Sequence, residues 1–149
     1  MNDTDFKYLF RELTGHEPLL WQTRLFREHF AGKDSASVPK TIDLPTGLGK
    51  TMVMAIWLIA RASHPESTPT RLIYVVDRRT VVDQATDIAT KLRVNFGRDA
   101  LGKHKLAIST LRGQLADNRE WSRDPSRPAI IIGTIDLIGS ALLFSSYRA

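Results

Sequence analysis

Leu44-Pro45-Thr46-Gly47-Leu48-Gly49-Lys50-Thr51 decides how the rest of this chain is read. A short strand-like run, residues 40–44, leads into it, and an apolar helix-forming run, residues 52–62, leaves it. Strand, glycine loop and helix in that order make the setting in which such a loop cradles a polyphosphate. Its backbone N–H groups face the phosphates, and the positive end of the helix dipole favours their charge. Lys50 is placed to reach the outer phosphates and the Thr51 hydroxyl to hold Mg2+. Glycine is needed there because a side chain would block close approach of the backbone. The first glycine of the general pattern G-x-x-x-x-G-K-[ST] would fall at position 44, where this chain has leucine.

Upstream of the loop, residues 6–13 read as a short amphipathic helix, broken by Gly15-His16-Glu17-Pro18. Apolar residues at Leu20, Trp21, Leu25, Phe26 and Phe30 predict a second helix over 19–31. Residues 32–39 are a loop by their glycine, serine and proline content. Downstream, Arg71-Leu72-Ile73-Tyr74-Val75-Val76 is a continuous apolar run and predicts a buried strand. Asp77-Arg78-Arg79 turns the chain, with Thr80 as the expected N-cap of a helix to about Phe96. Lys105-Leu106-Ala107-Ile108-Ser109 is a weaker strand, residues 116–128 a surface loop, Ala129-Ile130-Ile131-Ile132-Gly133 a second buried strand, and residues 134–144 a helix. Apolar strands alternating with helices predict an α/β fold with a parallel sheet covered on both faces.

The 149 residues suffice for one domain with a core. The longest apolar run, residues 52–60, is too short to span a membrane. The acidic start Met1-Asn2-Asp3-Thr4-Asp5 is unlike a signal peptide, and a cytoplasmic location is the default expectation. With no cysteine there is no disulfide and no thiolate metal site. His16, His29, His64 and His104 lack metal-ligand spacing and read as ordinary surface or helix residues. The net charge of +5 rests on 14 arginines against 7 lysines, a balance that suits a polyanionic partner because guanidinium groups pair bidentately with phosphate.

In open parallel sheets, ligands sit beyond the carboxyl ends of the strands. Three segments fall there besides the glycine loop: Asp77-Arg78-Arg79-Thr80, Ser109-Thr110-Leu111-Arg112-Gly113-Gln114 and Gly133-Thr134-Ile135-Asp136. Each brings a hydroxyl, an arginine or a helix start that can hold nucleic-acid phosphates.

Pro-Thr-Gly-x-Gly-Lys-Thr is the form of the loop seen in superfamily 2 helicases, and the order of the other segments extends that likeness. With Trp21-Gln22, the block Tyr74-Val75-Val76-Asp77-Arg78-Arg79-Thr80-Val81-Val82-Asp83-Gln84, and Ile132-Gly133-Thr134-Ile135-Asp136-Leu137-Ile138-Gly139, the chain resembles the first part of a superfamily 2 motor. More narrowly, it resembles the CRISPR-associated helicase-nuclease of type I systems, subtype G (formerly U). The resemblance implies a RecA-like P-loop NTPase, a three-layer α/β sandwich with a mainly parallel sheet. A helical segment over 1–38 would carry an adenine-reading glutamine, and 39–149 would form part of motor domain 1. It implies that Gln22 reads the adenine edge, and that Thr46, Gly47, Leu48, Gly49, Lys50 and Thr51 hold ATP, with Thr51 on Mg2+. It implies that Arg78, Arg79, Thr80, Arg112 and Thr134 grip single-stranded DNA without reading its sequence, with a CRISPR effector complex as loading partner.

Superfamily 2 motors also need an Asp-Glu motif whose Asp helps to hold Mg2+ and whose Glu activates water. No Asp-Glu pair occurs in this chain, nor the His-Asp pair of the family's nuclease. The expected sheet is therefore incomplete, lacking the Walker B strand, and no catalytic residue is assigned. An N-terminal helicase fragment with an exposed apolar edge, binding ATP and DNA but not competent for hydrolysis alone, is the first expectation. A stand-alone nucleic-acid-binding module with a vestigial phosphate loop is the second. A small kinase, for which Asp43 and Asp136 would be the available carboxylates, is the third.

Overall fold

The computed structural model describes residues 2–31, 42–44, 49–98, 107–112, 115–116, 128–136 and 138–139. They fall into two compact units, Met1–Thr70 with Lys91–Lys103, and Arg71–Thr90 with His104–Ala149.

The first unit is helical. Helix α1 (Asp3–Thr14) starts at a capping box, in which Asn2 accepts from the Asp5 N–H and Asp5 accepts in return from the Asn2 N–H. It ends at Gly15, whose φ of 77° is the left-handed stop that glycine adopts without strain. Helix α2 (Leu20–Leu25) runs straight into a wider π turn, Phe26–Phe30, closed by the Ala31 N–H on the Phe26 carbonyl at 2.8 Å. A tight 3-10 turn, Lys50–Met52, opens helix α3 (Val53–Ser63). The side chains of Met54, Ala55, Ile56, Trp57, Leu58, Ile59 and Ala60 are all buried, as suits a helix that is apolar all round. α1 and the Phe26–Phe30 turn pack against it.

Phe6 anchors this core. Its ring stacks on Phe26 with centroids 4.4 Å apart and tilts against Phe10 at 5.7 Å. Asn95, in helix α4 (Arg79–Arg98), donates from Nδ2 to the Leu13 carbonyl at 2.8 Å and so satisfies one of the open carbonyls at the end of α1. After α3 the chain turns back under two side-chain ties. Trp57 Nε1 donates to the Pro69 carbonyl at 3.0 Å, and Arg61 donates to the carbonyls of Pro65 and Thr68.

The second unit is a sheet. Strands β1 (Arg71–Val76), β2 (Ala107–Arg112), β3 (Leu115–Ala116) and β4 (Ala129–Thr134) lie in the order β1-β4-β2-β3. β4 pairs in parallel with both β1 and β2, and the two-residue β3 adds antiparallel to β2. The unit also takes in the first part of α4, where Val82, Ala85 and Ala89 form a buried stripe at helical spacing.

The expected α/β chain with a mainly parallel sheet is present, with three departures. Of the strand expected over 40–44, the described residues 42–44 are not in a strand. β1, an end strand of the described sheet, is half-buried rather than buried, with Ile73 and Val75 40% and 48% exposed, whereas β4 lies inside it and Ala129, Ile130, Ile131 and Ile132 are closed off. Thr80 lies inside the first turn of α4 and is not its N-cap. The Arg78 carbonyl accepts the first helical bonds, from the N–H groups of Val81 and Val82.

The loops expected over 32–39 and most of 116–128 lie outside the described residues. So does most of the helix expected over 134–144, of which residues 135, 136, 138 and 139 are helical. No helix among the described residues is long and apolar enough to cross a membrane.

Candidate nucleotide and nucleic-acid sites

Gly49 is the hinge of the glycine loop. Its φ of 76° and ψ of 32° put it in the left-handed region, and the chain passes from it directly into the Lys50–Met52 turn. A side chain there would be strained by the backbone alone. A Cβ would also lie 2.8 Å from Nε2 of Gln22.

That contact joins the loop to α2. Gln22 is 2% exposed. Its Nε2 donates to the Gly49 carbonyl at 3.1 Å, and its Oε1 accepts from the Leu19 N–H at 2.8 Å. The second bond is the glutamine half of a capping box, since Gln22 is the third residue of α2. One amide therefore ties the start of α2 to the last loop glycine. It keeps one N–H and one lone pair beyond these two bonds, enough to meet a further donor–acceptor edge.

Lys50 is exposed and Thr51 half-buried in the turn that opens α3, at the positive end of the helix. Thr46, Gly47 and Leu48 lie outside the described residues. The described part of the site suits a polyphosphate in two respects. A Cβ-free backbone in the left-handed conformation heads a helix, and the exposed Lys50 lies at its start.

In the sheet unit, the parallel strands end together. Val76 of β1 pairs with Thr134 of β4, and Leu111 of β2 pairs with Gly133 of β4. The register brings three of the expected segments to one edge: Arg78, Arg79 and Thr80 just after β1, Thr134 as the last residue of β4, and Arg112 as the last of β2. Arg78, Arg79 and Thr80 are exposed. The carboxylate of Asp77 stands 4.0 Å from Nε of Arg78, both side chains being mostly solvated, so it screens that arginine weakly.

Of the histidines, His16 is exposed, His29 lies in the π turn, His64 closes the end of α3, and His104 is outside the described residues. No group of three or more possible metal ligands occurs among the described residues. Sequence reasoning found Gln22 and Gly49 separately but not the bond between them. The N-terminal glutamine pattern of α2 was the available signal, and it points only to the Leu19 half.

The chain matches the family model described as "Type III restriction enzyme, res subunit" over residues 17–145. Comparison with curated proteins and with solved structures gives no match.

Proposed function

The chain belongs to the type III restriction enzyme res-subunit family, a superfamily 2 helicase-like P-loop domain, and from that premise we propose that it is the nucleotide-binding part of a DNA-tracking motor. In this reading Thr46, Gly47, Leu48, Gly49, Lys50 and Thr51 enclose the phosphates of ATP, Lys50 against the outer ones and the Thr51 hydroxyl on Mg2+. Mg2+, when bound, neutralises charge on the phosphates. Gln22 spends its remaining N–H and lone pair on the adenine edge, so that base and phosphate loop meet on one side chain. The observation that carries the reading is Gly49, left-handed, at the head of α3, with its carbonyl held by Gln22.

The second ligand is single-stranded DNA, held by its backbone at the carboxyl edge of the sheet. Arg78, Arg79 and Arg112 pair with phosphates, and Thr80 and Thr134 supply hydroxyl or backbone donors. With no Asp-Glu pair in the sequence, the chain alone binds ATP without turning it over at a motor's rate. The finer assignment, to the helicase-nuclease of type I CRISPR systems with an effector complex as its loading partner, rests on the block from Tyr74 to Gln84. A cytoplasmic site of action goes with it.

Titration with a fluorescent ATP analogue and Mg2+ tests the proposal. The native chain binds, and Lys50→Ala weakens binding by at least about tenfold, which is about 1.4 kcal/mol. Equal binding by native and variant chains, or none by a chain that circular dichroism shows to be folded, overturns the nucleotide half and leaves the DNA edge as the function.

A further inference from the structure

We draw no further inference here: the strongest candidate, the exposed Leu19 side chain beside Gly49 where the start of α2 meets the glycine loop, belongs to the nucleotide site already described.

Discussion

Gln22 gives both ends of its amide to the backbone while almost wholly removed from solvent, and this makes it the residue most sensitive to a change of one atom. Gln22→Glu keeps the acceptor for the Leu19 N–H but sets a second oxygen against the Gly49 carbonyl. Burial disfavours the charged form, so the introduced carboxyl has a folded-state pKa above its unfolded value of about 4.3. The sign follows from linkage: the variant is least destabilised at low pH, where a neutral carboxyl donates to the Gly49 carbonyl. It loses stability as pH rises through the folded pKa, to a deficit of about 1–3 kcal/mol at neutral pH. Urea unfolding of native and variant chains between about pH 4 and 8 checks this, and a deficit that does not change with pH would mean that the Gln22–Gly49 bond contributes nothing. Gln22 stood out in the sequence through a family resemblance. Its buried, doubly bonded state did not, because Gly49 lies beyond a loop whose path no local pattern specifies.

At the scale of elements, strands of nearly the same composition meet different fates. Ile73 in β1 and Ile131 in β4 are directly paired in register, yet one is 40% exposed and the other 1%. Ile131→Ala opens a cavity in a closed site and is expected to cost about 2–5 kcal/mol. Ile73→Ala removes a side chain already partly in water and is expected to cost about 1 kcal/mol. Chemical denaturation compares them, and equal losses would show that Ile73 is covered in solution. Both runs were legible as strands from their β-branched residues, and both were expected to be buried. Apolar continuity marks a strand as fit for the interior, but which strand stands at the end depends on pairing order. α3 is the opposite case. Its unbroken apolar run behind the glycine loop reads as a helix, and the helix it forms is enclosed.

At the scale of the whole molecule, net charge and strand register bear together on the proposed DNA edge. The chain carries +5, and the arginines after β1 and at the end of β2 share the sheet's carboxyl edge with Thr134. Binding of a fluorescent oligothymidine is expected to weaken with salt, with a log–log slope of about −0.7 for each phosphate contacted. Arg78→Ala with Arg79→Ala should flatten that slope by about 0.7 per arginine without creating a base preference. An unchanged slope would move the DNA site off this edge.

The sequence by itself determined the glycine loop and its helix, the chain order of strands and helices, and the residues at the strand ends that carry charge. These follow from periodicity, composition and short motifs, which act within a few residues of one another. Only the tertiary structure decided that β4 lies inside the described sheet and β1 at its end, that Arg78 rather than Thr80 caps α4, and that Gln22 holds Gly49 across 27 positions. Each of these is a hydrogen bond won by one partner over another, and local sequence states what a group can bond, not which group will reach it first.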